Sequence, residues 1–126
     1  MNVSKDNKEM VLNYFGKCVI EEVYDRAIFG AKRIIKQTTP NRMDLDRYAV
    51  FSEFSQEQQE KVCELLTETV VDTIYRFLEM VEEHDEEFKL VVEMNKVKYS
   101  LTDISEKMGS EIVDLDDGWI NRFSHI

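Results

Sequence analysis

The stretch Ser55 to His84 reads SQEQQEKVCELLTETVVDTIYRFLEMVEEH, and its pattern decides the fold class. Ser55 followed three residues later by Gln58 has the spacing of a capping box. In that arrangement the hydroxyl accepts an N–H of the first turn and the glutamine reaches back to the cap. Glu57 and Glu60 then fall where the positive end of the helix dipole favours anions. Apolar groups recur at helical spacing as Val62, Leu65, Leu66, Val70, Ile74, Phe77, Leu78 and Val81, and the opposite stripe is Lys61, Glu64, Glu68, Asp72, Arg76, Glu79 and Glu83. Two faces kept over this length predict one long amphipathic helix with its apolar side on a core.

Upstream, Ser4 has the chemistry of an N-cap, with Asp6 and Glu9 in or near the first turn. Two apolar phases follow: Val11, Phe15, Cys18, Val19 and Val23, then Ile20, Val23, Tyr24, Ala27, Ile28, Ala31, Ile34 and Ile35. Gly16 is the natural place for a kink between them, because glycine weakens a helix interior by about 1 kcal/mol. Gly30 with Ala27 and Ala31 would admit a closely packed second helix. Thr38-Thr39-Pro40 predicts the end of this rod, since the residue before proline is pushed out of the α region. Asp44 is the expected cap of a short helix carrying Leu45, Tyr48, Ala49 and Phe51, and Phe54 leads into Ser55. Those aromatic groups predict a connector folded onto the core.

Downstream of His84 the period changes. Phe88, Leu90 and Val92 alternate with Lys89, Val91 and Glu93, and Val97, Tyr99 and Leu101 alternate with Lys96, Lys98 and Ser100. Two such runs read as a hairpin, with Asn95 supplying the positive φ of its turn. Thr102 or Asp103 caps one further turn ending near Gly109. Asp117-Gly118 marks a turn, after which Trp119, Ile120 and Phe123 are expected to form a third strand. The expected fold is therefore α+β and mainly helical. Two long helices and shorter ones carry a small antiparallel C-terminal sheet of two or three strands, all in a single domain spanning residues 1–126.

Composition sets further bounds. The chain has 126 residues, 43% hydrophobic and 33% charged, with one proline and four glycines. That is enough for an unstapled core and leaves little room for disordered linkers. No apolar run approaches the ~18 residues of a membrane span, and the polar start lacks the apolar centre of a signal peptide, so a cytoplasmic protein is expected. Cys18 and Cys63 read as buried free thiols of a reducing compartment. Net charge is −10, yet residues 1–54 carry nine Lys/Arg against eight Asp/Glu, and residues 55–126 carry seven against eighteen. The acidic excess lies entirely in the second part. Such a surface repels phosphate backbones, which argues against nucleic acid, and suits a basic partner protein.

Motifs for catalysis or cofactors are not found. Asp114 to Gly118 resembles the start of a calcium loop, but Gly118 falls one place early and His125 stands where the bidentate Glu belongs. His84 has Met80 and Val81 rather than a ligand one turn before it, no Glu-x-x-His occurs, and His125 lies one residue from the end, so no metal is expected. Carboxylate pairs such as Glu64 with Glu68 and Glu21 with Asp25 lie on polar stripes, where water keeps both ionised. No P-loop, nucleophile elbow or dinucleotide fingerprint occurs, and no cofactor is expected. The cluster Arg26, Lys32, Arg33 and Lys36, with Arg42 beyond, has two readings. One is an anion site; the other is cations at a helix C-terminus facing the acidic stripe of the long helix.

Asp117-Gly118-Trp119-Ile120-Asn121-Arg122-Phe123-Ser124, together with the helix start at Phe54-Ser55-Gln56-Glu57-Gln58, resembles a small family of uncharacterised bacterial domains that end in a Gly-Trp-Ile-x-Arg-Phe-like segment. The resemblance covers roughly residues 45–126. It implies a bacterial cytosolic α+β domain of unknown function and carries no catalytic residues.

The functional expectation is a non-catalytic acidic interaction module, of the kind that neutralises a basic protein as an immunity protein or antitoxin does. Its partner-binding candidates are Glu79, Glu82, Glu83, Asp85 and Glu86, which crowd the dipole-disfavoured end of the long helix, and Trp119 with Arg122 as an aromatic–arginine hot spot. A second expectation is a homodimer burying the flank that Val71 and Tyr75 add to the apolar band. A third is a small-ligand binder or enzyme whose site, between helices and sheet, draws on Tyr24, Arg26, Tyr48, Tyr99 and Arg122.

Overall fold

The computed structural model describes residues 5–105, 107–114 and 116–126, and the side chains of residues 5 and 6 lie outside that description, as does the expected cap at Ser4. The first rod is one run of helix whose pitch changes midway. Helix α1 (Lys5–Cys18) passes into a π-helical turn (Val19–Tyr24) and then into α2 (Asp25–Ile35). The wide turn inserts a residue into the repeat and rotates the buried face. This accounts for the two apolar phases of the sequence.

Gly16 is therefore not the kink. It lies ahead of the wide turn, and a Cβ there would stand 2.4 Å from the Trp119 ring. Gly30 likewise departs from expectation: nothing lies within 4 Å of the place its Cβ would take, so no helix packs there. The rod stops at Gln37, whose φ of 59° places it in the left-handed region. Its N–H donates to the Ile34 carbonyl at 3.0 Å, and the Thr38 N–H to that of Arg33 at 2.8 Å, a C-terminal stop completed before Pro40 is reached.

The connector holds α3 (Arg42–Arg47), capped by Asn41 rather than by Asp44. The Asn41 Oδ1 accepts the N–H groups of Met43 and Asp44 at 3.0 and 3.3 Å. Tyr48 stacks on Phe51 at a centroid distance of 6.3 Å, and Phe54 meets Phe51 edge-on at 5.2 Å. The Gln37 and Gln59 side chains donate to the carbonyls of Tyr48 and Phe51, fixing this aromatic corner between the two rods.

Helix α4 (Gln56–Glu83) begins as predicted. The Gln58 N–H donates to the Ser55 hydroxyl at 3.1 Å and the Ser55 N–H to the Gln58 carboxamide oxygen at 2.8 Å. Cys63, Ile74, Leu78 and Val81 are buried. Leu65 and Phe77, expected on the core side, are exposed, because neighbouring helices cover only the arc centred on Ile74 and Leu78.

Strands β1 (Val91–Met94) and β2 (Val97–Ser100) pair antiparallel with Val91 opposite Ser100 and Met94 opposite Val97. The turn residues Asn95 and Lys96 have φ of 52° and 67°, the pattern of a tight two-residue hairpin turn. Helices α5 (Leu101–Ile104), α6 (Met108–Val113) and α7 (Trp119–Phe123) follow. The sheet thus has two strands. The expected third strand is the helical turn α7, in which Trp119 and Phe123 share a face because they are one turn apart.

Trp119 is the largest of the fully buried side chains, with no exposed surface. Phe15 meets it edge-on at 5.8 Å, and it shares one buried cluster with Val11, Ile20, Ile28, Ile74, Leu78, Leu101, Met108 and Ile112. The Asp114 carboxylate accepts the N–H groups of Asp116 and Asp117 at 2.9 and 3.2 Å, so the acidic loop uses this carboxylate to hold its own turn. Among the described residues no helix is long and apolar enough to cross a membrane.

Candidate functional site

The C-terminal end of α4 gathers carboxylates that its own dipole disfavours. Glu79, Glu82 and Glu83 form one side of a cleft of about 410 Å³, closed by Tyr75, Lys107, Gly109 and Ser110. Gly109 lets α6 approach here: a Cβ on it would stand 2.7 Å from the Tyr75 ring. The Glu82 carboxylate accepts the Met108 N–H at the start of α6 and so faces inward. Burial pushes the Glu82 carboxyl above the usual range, Glu79 and Glu83 add to this, and Lys107 opposes it. A hydrogen bond to Glu79 raises the Tyr75 hydroxyl pKa. Among the described residues Glu79, Glu83 and Glu86 form no ion pair, and one lysine faces three carboxylates in the cleft. The cleft thus carries an excess of negative charge.

The other candidates part from this group. Asp85 binds the Thr102 hydroxyl and sits 3.4 Å from the Lys89 ammonium. The Thr102 bond, with Lys89 assisting, holds its carboxyl below the usual range. Asp85 thus ties the end of α4 to α5, the helix that leaves the hairpin. Trp119 cannot touch a partner, since it is wholly inside; its hot-spot role is replaced by a core role. Arg122 is fixed on the surface of α7: its Nη1 donates to the Asn13 side chain at 3.0 Å and its guanidinium covers the Phe123 ring at 4.8 Å.

The ligand-binding candidates are spread over separate elements. Tyr24 is buried in the π turn, Arg26 is exposed on α2, Tyr48 stacks in the aromatic corner, and Tyr99 lies on β2. In the basic cluster, Lys32 and Lys36 line a groove opposite Glu60, Glu64 and Glu68, and Arg33 covers the Phe29 ring at 5.0 Å. Of the cluster, Lys32 and Lys36 thus face the acidic stripe of α4. Cys18 and Cys63 are free thiols, the second buried. Among the described residues no group of three or more His, Cys, Asp or Glu is placed to hold a metal.

One constellation escaped the sequence reading. Asp25, 7% exposed, accepts the Ser124 hydroxyl at 2.7 Å and the His125 N–H at 2.8 Å, and the His125 ring contacts Glu21 at 2.6 Å. The hydroxyl is bonded to the carboxylate and the imidazole is turned to a different one, so Ser124 and His125 are not paired as nucleophile and imidazole base. The arrangement clamps residues 124 and 125 to the π turn and the start of α2. Its sequence signal was slight: a carboxylate pair four apart on one helix, and a Ser-His pair a hundred residues away.

Comparison with protein-family models, with curated proteins and with solved structures finds no match to this chain.

Proposed function

We propose that the chain is an acidic interaction module that captures a basic protein through the carboxylate end of α4, in the manner of an immunity protein or antitoxin. The observation that carries this reading is the cleft of Glu79, Glu82 and Glu83, in which burial, and then the neighbouring carboxylates, raise the Glu82 pKa and one lysine faces three carboxylates. A lysine or arginine side chain inserted there would relieve that crowding and replace water at a partly desolvated carboxylate. The −11 balance of residues 55–126 would speed encounter with a basic surface and make it salt-dependent. Tyr75 would supply the aromatic wall of the seat, while Asp85 is spent on Thr102 and Lys89.

The test is affinity capture with wild-type chain and with a Glu79→Lys/Glu83→Lys variant, at low and high salt. The reading expects a basic protein retained by the wild type, released by salt, and lost with the variant. Retention of no basic protein, or equal retention by the variant, contradicts it.

A further inference from the structure

The acidic cleft does not end at Tyr75. On the other side of that ring, α4 and the last residue of α6 enclose a second cavity, of about 360 Å³, lined by Val71, Tyr75 and Val113 and edged by Glu68 and Asp72. Tyr75 lines both cavities, so the two are halves of one furrow between α4 and α6. From Thr67 to Glu83 the furrow follows about 24 Å of α4. Its chemistry is graded along that length. One half is apolar at its centre: Val71 and Tyr75 rest partly on the core, and Val113 is 40% exposed. The other half holds the carboxylates of Glu79, Glu82 and Glu83.

We propose that the furrow receives one amphipathic helix of a basic partner protein, with an aliphatic side chain on Val71, Tyr75 and Val113 and a lysine or arginine among the three carboxylates. The inference rests on the capture reading above and specifies the element that is captured. Charge decides the occupant. Among the described residues Glu68, Glu79 and Glu83 form no ion pair, Asp72 is neutralised by Arg76 at 2.8 Å, and Lys107 is the one base lining the furrow. A wholly aliphatic occupant would strip water from carboxylates and give them no partner, which costs free energy. A wholly cationic one would leave the Val71–Val113 half in water. A segment that carries both kinds of group answers both halves.

The walls decide its conformation. The lining residues belong to α4, to α6 and to Lys107, the residue before α6, so no strand edge borders the furrow. An extended segment would find no ladder for its backbone N–H and C=O groups, whereas a helix satisfies its own. Val71 and Glu79 are two turns apart, about 12 Å along α4. The partner's aliphatic group and its cation are therefore seven or eight positions apart, which keeps them on one face of its helix.

Two synthetic peptides of leucine and lysine test this. In one the leucines form a single helical face flanked by lysines; its isomer has the same composition, scrambled so that no helical face is apolar. Each is titrated from about 10 µM to about 1 mM into the isotopically labelled full chain, and amide chemical shifts are followed by NMR. The amphipathic peptide is expected to bind about tenfold more tightly than its isomer, the lower end of what burying one leucine side chain yields. Its shifts are expected at Val71, Tyr75 and Val113 as well as at Glu79 to Glu83, a readout that needs no variant. Val71→Ser/Val113→Ser is expected to erase the difference between the peptides and keep the salt dependence, and Glu79→Lys/Glu83→Lys to weaken both peptides by about tenfold or more. Circular dichroism shows that each variant keeps its helix content. Equal binding of the two isomers, or shifts confined to Glu79–Glu83 or centred on the Leu65–Phe77 side of α4, overturns the helix-in-furrow inference and leaves the capture reading standing. Binding of neither peptide, or binding indifferent to Glu79→Lys/Glu83→Lys, overturns the capture reading and the inference with it.

Discussion

Replacing Gly16 by alanine is expected to cost this protein a substantial part of its stability, against the usual benefit of that exchange in a helix. Alanine in a helix interior gains about 1 kcal/mol over glycine. Here the new methyl would stand 2.4 to 2.6 Å from three atoms of the Trp119 indole, whereas carbon atoms rest at about 3.5–4.0 Å. The indole has no exposed surface and meets Phe15 edge-on, so a shift of over an ångström must be passed to its neighbours. Overpacking of a filled core costs about 1–3 kcal/mol and sometimes more; a clash with a rigid ring belongs at the upper end. The net loss is then about 2 kcal/mol, or roughly 8 °C in Tm for a domain of this size. Trp119 is the one tryptophan, so its fluorescence during urea unfolding reports the change directly. Two controls sharpen the test. Gly30→Ala, in open space on α2, should stabilise by about 0.5–1 kcal/mol. The double variant Gly16→Ala/Trp119→Phe should be less damaged than the sum of its parts. A Gly16→Ala protein as stable as the wild type would refute the packing argument.

Three other perturbations follow from the same contacts. Ser55→Ala removes one half of the capping box and should cost about 1 kcal/mol by chemical denaturation. Asp25→Ala leaves the Ser124 hydroxyl and the His125 N–H without their acceptor; a loss of about 2 kcal/mol and faster amide exchange at His125 are expected. Asp85 has its pKa lowered by Thr102, so its contribution is full above the unfolded carboxylate range and is lost as pH falls through the folded value. Stability measured against pH should therefore fall less steeply on the acid side in Asp85→Asn than in the wild type.

How far the sequence carried depended on whether a local pattern had one physical solution. The Ser55–Gln58 box and the stripes of α4 have one, and the helix starts and runs where they place it. Asn95 at a tight turn between alternating runs has one as well, and the hairpin register follows. Trp119-Ile120-Asn121-Arg122-Phe123 has two, because groups four apart share a face in both a strand and a helix; tertiary packing on Gly16 and Phe15 chose the helix. The π turn left a trace, a slip of one residue between two apolar phases, but the nearby glycine offered a simpler explanation. Helical spacing identified Leu65 and Phe77 as apolar without deciding whether the molecule has a partner for them. Of the acidic site, the crowding of Glu79, Glu82 and Glu83 was legible. Its walls were not, since Tyr75 and Lys107 meet only when α6 folds back on α4. Asp85 and Trp119 looked free in sequence for the same reason: Thr102 and Gly16 are distant in the chain.

The most direct test of the acidic seat is the titration of the Glu82 carboxyl by NMR, alone and with a saturating arginine-rich peptide. The account predicts a pKa above the ordinary glutamate range in the free chain, because of burial and two neighbouring carboxylates, and a marked fall when the peptide's cation takes its place beside them. A Glu82 that titrates in the ordinary range, or whose pKa the bound peptide leaves unmoved, would contradict it.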